Sequence, residues 1–436
     1  MDLLTYIDKS PCSFYAVENI CKILESKGYH RLQECESWNL QVGGKYFVTR
    51  NGSSLLAFRI PSADFRGFMI GAAHSESPSY KIKSNAEIWH NDYVQLAVEP
   101  YGGMIAESWL DRPLSAAGRL LVHSENKVIS KLVNVEKDML IIPNVAIHLT
   151  RSKGKDSKPL NPAVDMQPLY GLSSYGVDFL EEIAKAANVS KADILSFDLF
   201  LYNRMPASRW GSDGSFLSAP RIDDLVCVYA CLTGFAEAEN NMNSVPVLAV
   251  FDNEEVGSCT KQGACSTFLA DTLKRINGAF GSDFEYCQRI ADSFLVSADN
   301  GHALHPNHPE ISDKNHAPVL NQGIIIKHNA AQHYCTDAVS DALFRLLCCE
   351  AEVPCQTYYN RADIRGGATL GNLSNSQVSL NGIDIGLAQL AMHSAYETVG
   401  AKDIEYLCKL MAVFFGKSFS EHNGEYSWES RPNEFQ

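Results

Sequence analysis

The stretch Phe251-Asp252-Asn253-Glu254-Glu255-Val256-Gly257-Ser258 constrains this chain more than any other. It follows Val247-Leu248-Ala249-Val250, an apolar run of the kind that forms a buried strand. Adjacent carboxylates at the end of such a strand are costly unless something compensates them, because an unpaired buried charge is destabilising or neutralises itself. A divalent cation compensates one carboxylate, and a reacting water gives the other a task. The rest of the chain can then be searched for the remaining ligands of a hydrolytic metal site.

Four positions answer that search. His74 closes the apolar run Phe68-Met69-Ile70-Gly71-Ala72-Ala73, and Asp299 closes Phe294-Leu295-Val296-Ser297-Ala298. Asp223 follows Pro220-Arg221-Ile222 and leads into a segment with helical spacing, Leu225, Val226, Val228 and Tyr229. His393 lies in Gln389-Leu390-Ala391-Met392-His393-Ser394. Polar groups directly after buried strands stand where α/β sheets gather their sites. Two histidines with Asp223, Glu255 and Asp299 suit a pair of Zn²⁺ or similar divalent ions (Co²⁺ or Mn²⁺ among them) with one carboxylate shared. Glu254 is left free of metal as general base for hydrolysis of a carbonyl substrate. His302, His305 and His308 read as shaping a loop beside Asp299. No GxSxG, Walker A or GxGxxG motif occurs, so serine-hydrolase, kinase and dehydrogenase readings lack support.

At 436 residues, two domains are expected. Helical spacing over 14–28 ends at Gly28, and strand-like runs follow at 45–49, 54–60 and 68–73. From 84 to 215 short alternating stretches predominate (Tyr93 to Val98, 118–123, 128–134, 145–149), with a polar loop from Arg151 to Lys158. After 216, strands alternate with helices again, as in a mostly parallel sheet. The fold class read from this is α/β: a mostly parallel sheet flanked by helices, built from 1–83 plus 216–436, with a β-rich module at 84–215 inserted. The polar tail from Glu421 to Gln436 is expected to fray.

A net charge of −14 argues against a nucleic-acid partner held by a basic surface. No run approaches the ~18 apolar residues that span a membrane. Met1-Asp2-Leu3-Leu4-Thr5 lacks the features of a secretory signal. Thirteen cysteines without CxxC spacing make a poor disulfide framework. Most of them, Cys227, Cys259 and Cys265 included, are expected to be small packing groups, and Cys348-Cys349 are not expected to bridge each other. A cytoplasmic, reduced protein is expected.

The motifs also run in a familiar order. Ser10-Pro11-Cys12-Ser13-Phe14-Tyr15-Ala16-Val17 resembles SPTPFHAV, His74-Ser75-Glu76-Ser77-Pro78 resembles HTDSP, and Asp252 to Ser258 resembles DHEEIGS. Tyr101-Gly102-Gly103 with Trp109 to Leu114, Ser218 to Asp224, Asp299 to Asn307 and Asp384 to Ser394 match further segments. Together they cover nearly the whole chain and resemble the aspartyl aminopeptidase family of dinuclear zinc exopeptidases. The resemblance implies a zinc-peptidase fold interrupted by a β-rich dimerisation domain, and homo-oligomers in which dimers build a hollow tetrahedral dodecamer that admits peptides. It implies Asp223 as bridging ligand, His74 and Asp299 at one metal, and Glu255 and His393 at the other. Glu254 would be the base, and Glu76 would orient the site from outside the ligand set. Lys327, in Gly323-Ile324-Ile325-Ile326-Lys327, would favour an acidic N-terminal side chain. His148, in Ala146-Ile147-His148-Leu149, would reach a neighbouring subunit's site and stabilise the oxyanion; from its own residues the segment reads as a buried strand.

Some positions depart from the family's pattern. Glu76 replaces Asp, Asp224 replaces Asn, Ala395-Tyr396-Glu397 lacks an Arg, and Arg361-Ala362-Asp363 replaces RSD. Asp224 adds a carboxylate beside Asp223, which weighs against acidic specificity but leaves the hydrolytic set intact. The expected function is metal-dependent removal of N-terminal Asp or Glu from peptides. The same hydrolysis with a broad or neutral preference, and a non-catalytic scaffold of the same fold, are the alternatives.

Overall fold

The computed structural model describes residues 1–150, 159–364 and 366–429. Its centre is a nine-stranded sheet. The order is His30–Leu32, Lys45–Arg50, Ser54–Arg59, Ser244–Phe251, Gly67–His74, Phe294–Ala298, Asn381–Gly386, Ile324–His328 and Cys355–Tyr359. The four middle strands, from Ser244–Phe251 to Asn381–Gly386, run parallel. Every residue of Gly67–His74 and of Ser244–Phe251 is buried, because helices cover both faces.

The period-two alternation of strands sorts the side chains between two cores. Met69 and Ala73 pack with residues of Ser13–Ser26, Ile222–Glu237, Ala338–Glu350 and Ala401–Phe415 on one face. Phe68, Ile70 and Ala72 pack with Phe268, Leu273 and Ile276 of Phe268–Phe280 on the other. Gly71 is small because Phe415 and Met411 lie against it; a Cβ there would come within 2.5 Å of Phe415. Burying each large apolar side chain in such a core contributes roughly 1.5–3 kcal/mol.

A second, six-stranded antiparallel sheet has the order Lys127–Asn134, Leu114–Ser124, Ile194–Asn203, Ser79–His90, Tyr93–Tyr101, Leu169–Leu172. The helix Phe179–Ala187 packs on it, capped by Asp178, so this module is not purely β. A five-stranded sheet, Ser208–Trp210, Phe216–Ala219, Glu397–Gly400, Ala388–Leu390 and Gly301–His302, brings the chain around Asp223 and His393 to the centre. Among the described residues no helix is long and apolar enough to cross a membrane.

Three expectations need correction. The stretch 145–149 is not a buried strand: a short helix runs from Ile147 to Thr150, and Val145, Ile147 and Leu149 are exposed. The tail does not fray from Glu421: Ser418–His422 and Glu425–Glu429 form a hairpin. Trp428 anchors it, 4.9 Å from the Phe294 ring and donating to the Leu343 carbonyl. Cysteine burial is the third, since only Cys21, Cys227, Cys231 and Cys348 are buried and Cys259 is exposed, although all thirteen are free thiols. The polar loop from Arg151 to Lys158 and the final residues 430–436 lie outside the described residues.

Candidate active site

His74, Asp299 and the Glu254-Glu255 pair stand just past the carboxyl ends of neighbouring parallel strands. Phe251 pairs with His74, so the register alone brings the turn after Phe251 beside that imidazole. Asn253 takes a left-handed conformation (φ 64°), which swings the chain into a single 3₁₀ turn, Glu254–Val256. Asp223 lies where the first turn of Ile222–Glu237 is broken: its ψ of 105° is not helical, and the regular helix starts after Asp224.

Asp223 is the hub. One carboxylate oxygen lies 3.3 Å from His74 Nε2 and the other 3.6 Å from His393 Nε2. His74 Nε2 is also 3.8 Å from Asp299 Oδ1, and His393 Nε2 is 3.3 Å from Glu255 Oε1. The five predicted ligands therefore form two triads that share Asp223. His74, Asp223, Asp224 and Asp299 offer ligand atoms all within 4.8 Å of one another, and so do Asp223, Glu255 and His393. Glu254 forms a similar group with His74 and Glu255.

The donor set fits zinc. Imidazoles and carboxylates are its ordinary ligands, and Asp223 Oδ1 and Asp224 Oδ1 are buried without a hydrogen-bond partner. Such orphaned oxygens carry a desolvation penalty that a bound cation would relieve. The electrostatics agree. Burial would lower both imidazoles, yet the carboxylates hold His74 well above its usual range and raise His393 to about 11. Burial pushes Asp224 and Glu254 well above the carboxylate range and Glu255 to about 7. Asp223 moves the other way: burial opposes it, but His393 and His74 hold its carboxyl down.

The surroundings fix these groups. Glu76 accepts the Glu255 amide at 3.0 Å, and its other oxygen lies 3.5 Å from His74 Nδ1. The Ser77 hydroxyl donates to the Asp223 carbonyl. Glu397, which sequence reasoning did not single out, accepts the Asp223 amide at 3.0 Å and the His393 amide at 2.7 Å. One buried carboxylate thus sets the backbone of two ligands. Its signs in the sequence were its place in Ala395-Tyr396-Glu397 and a charge opening the strand Glu397–Gly400. Asp224 is fully buried, with one oxygen accepting the His74 amide at 3.2 Å. Glu254 differs from Glu255 in that its carboxylate takes no hydrogen bond among the described residues.

Lys327 is not a solvated strand end. It is 2% exposed, and its Nζ lies 3.0 Å from Asp299 Oδ2. His148 is exposed on the helix Ile147–Thr150 and is not among the ligand groups of this chain. His302 enters the strand Gly301–His302, while His305 and His308 shape the following turn through Asn307 and Glu310.

Residues 6–415 match the family model described as aminopeptidase I zinc metalloprotease (M18). The chain is 41% identical over 424 residues to a probable M18 family aminopeptidase 2 of Clostridium novyi, covering 95% of this chain and 98% of that protein. A relative of the same description from Pseudomonas aeruginosa is 37% identical over 424 residues, covering 95% and 97%. Among solved structures, a chain of the Ape4 and Nbr1 complex superposes with a TM-score of 0.91 at 33% identity, covering 95% of this chain and 84% of that one. The mApe1 dodecamer of S. cerevisiae gives 0.82 at 28% identity, with 95% of each chain covered. The chain therefore belongs to the M18 family of aminopeptidases and is a metalloaminopeptidase, a hydrolase.

Proposed function

We propose that this chain removes single N-terminal residues, preferentially Asp or Glu, from peptides at a dinuclear zinc site. The observation that carries the reading is Asp223: a buried carboxylate with one oxygen toward each of two histidine–carboxylate pairs. His74 and Asp299 would hold one ion and Glu255 and His393 the other, with Asp223 common to both. Bound zinc would acidify the attacking water and polarise the scissile carbonyl.

The remaining steps belong to the chain's own groups. Glu254, raised above the ordinary carboxylate range and unpaired, takes the proton from the water and returns it to the leaving amine. Site carboxylates hold the substrate's α-amino group, which limits the reaction to one residue. Glu76 keeps His74 and the Glu255 backbone in place. His148, exposed on the helix Ile147–Thr150, would donate to the oxyanion at a neighbouring subunit's site.

The reading extends to organisation. Residues 1–83 and 216–436 would form the catalytic unit and 84–215 a dimerisation unit. The six-stranded sheet spanning Ser79 to Asn203 and the exposed apolar residues around His148 support that division. The chain would form homodimers that build a tetrahedral dodecamer, a reading supported as far as the homo-oligomer by the dodecamer of yeast mApe1. Thirteen free thiols suit a reducing cytoplasm.

Acidic preference rests on Lys327. One observation favours a broad preference instead: the Lys327 ammonium is already paired with Asp299 and has little charge left for a substrate. Rates of N-terminal release from matched Asp-, Glu-, Leu- and Ala-peptides separate the two, run with chelator and with zinc, cobalt or manganese restored. Chelator-sensitive release fastest on Asp or Glu supports Lys327 as specificity residue. Faster release of Leu or Ala rejects the acidic pocket and keeps the chemistry, and no release with any metal rejects both.

A further inference from the structure

Two cysteines far from the metal ligands in sequence share a site of their own. Cys348 lies in the last turn of Ala338–Glu350, and Cys355 opens the edge strand Cys355–Tyr359 of the central sheet. The turn between them is closed by the Val353 amide, which donates to the Cys348 carbonyl at 2.9 Å. This brings the side chains together: Cys348 is buried in the main core and the half-buried Cys355 packs against the same cluster.

A cation completes the arrangement. Arg345, one turn before Cys348, directs Nη1 toward Cys355 Sγ at 3.9 Å. Its guanidinium is held in that orientation by Asp341 (Nε to Oδ1, 3.0 Å) and by Thr357 Oγ1 (2.8 Å). The Cys348 hydrogen bond and Arg345 bring the Cys355 thiol down to about 7, with burial and Asp341 opposing. Cys348 is pushed up, first by its bond to Cys355 and then by burial. With the guanidinium on its side of the pair, Cys355 is the sulfur placed to react as thiolate, and Cys348 is the neighbour placed to resolve it. The Cys259 and Cys265 pair lacks the cation, and there burial and the contact with Cys259 push Cys265 to about 11.

We propose that Cys355 and Cys348 form a thiol-modification site that low-molecular-weight disulfides oxidise reversibly to an intramolecular disulfide. The Cys355 thiolate attacks one sulfur of the small disulfide, forming a mixed disulfide and releasing one small thiolate. Cys348 then gives up its proton to that thiolate and attacks the Cys355 sulfur, and the second small thiolate leaves and takes up the proton from Cys355. Two protein thiols are oxidised and one disulfide is reduced to two thiols, so electrons and protons balance. The product ties the edge strand next to Ile324–His328, which carries Lys327, to the helix Ala338–Glu350 that precedes it.

The test uses the full chain with Cys349→Ser, which removes an exposed neighbouring thiol. It is exposed to oxidised glutathione, cleaved without reduction by a glutamyl endopeptidase at Glu350 and Glu352, and read by mass spectrometry. The expected product is a peptide pair joined through Cys348 and Cys355, formed before the exposed Cys35 and Cys287 react. Cys348→Ser should stop at glutathione on Cys355. Arg345→Met should slow alkylation of Cys355 by iodoacetamide roughly tenfold at pH 7, since the thiolate fraction falls with the lost cation. Cys355 remaining a thiol while Cys35 and Cys287 react, a stable mixed disulfide beside intact Cys348, or no slowing in Arg345→Met would each overturn the proposal.

Discussion

The ligand cluster and the Val145–Leu149 segment are opposite kinds of surface. In the first, carboxylates of Asp223, Asp224 and Glu255 are packed against two imidazoles and withdrawn from water. In the second, Ile147 is 69% and Leu149 74% exposed, with His148 between them. Each reverses the ordinary rule for its location, since polar groups belong in water and large apolar ones out of it. On the proposed function, the buried site would be completed by cations and the exposed segment by another protein surface.

Substitutions can break that comparison in order of expected effect. Asp223→Asn should abolish binding of both ions and reduce peptide hydrolysis below detection, checked by metal content and turnover. In the metal-free protein the same change should cost stability, because His74 and His393 hold the Asp223 carboxyl in its charged form and would lose that partner. Zinc at a free concentration 100-fold above its Kd should stabilise the parent by about 2.7 kcal/mol, and thermal melts should show that gain lost in Asp223→Asn. A variant that zinc still stabilises to the same extent would mean that Asp223 is not a shared ligand.

Glu76→Gln is milder. It keeps the shape but removes the charge facing His74, and zinc affinity should fall about 10–100-fold, measured by competition with a chelating dye. Turnover at saturating zinc should fall much less. Leu149→Ser, on the exposed side of the comparison, should change the stability of the isolated fold by no more than about 0.5 kcal/mol. It should nevertheless weaken self-association in sedimentation, and an unchanged assembly would remove this segment from the interface.

The same contrast explains what could be read from the residues. His74, Asp299 and Glu254-Glu255 stood out because each ends an unbroken apolar run, and a buried parallel strand advertises both its path and its end. Glu397 did not, because its role is set by two backbone amides, those of Asp223 and His393, which approach it only in the folded chain. Lys327 was readable as a cation near a site but not as Asp299's partner, a contact made across 28 positions of sequence. The exposed segment misled for another reason. Val145, Ile147 and Leu149 alternate like a buried strand, yet the segment runs into a short helix with those side chains exposed.

The dinuclear site with a metal-free base is the central claim, and Glu254→Gln tests it most directly. Metal content and turnover would be measured on the same zinc-loaded samples of parent and variant. The account predicts two ions per chain in both and a loss of turnover of roughly 10²–10⁴-fold in the variant. Unchanged turnover, or loss of metal together with activity, would contradict the assignment of Glu254.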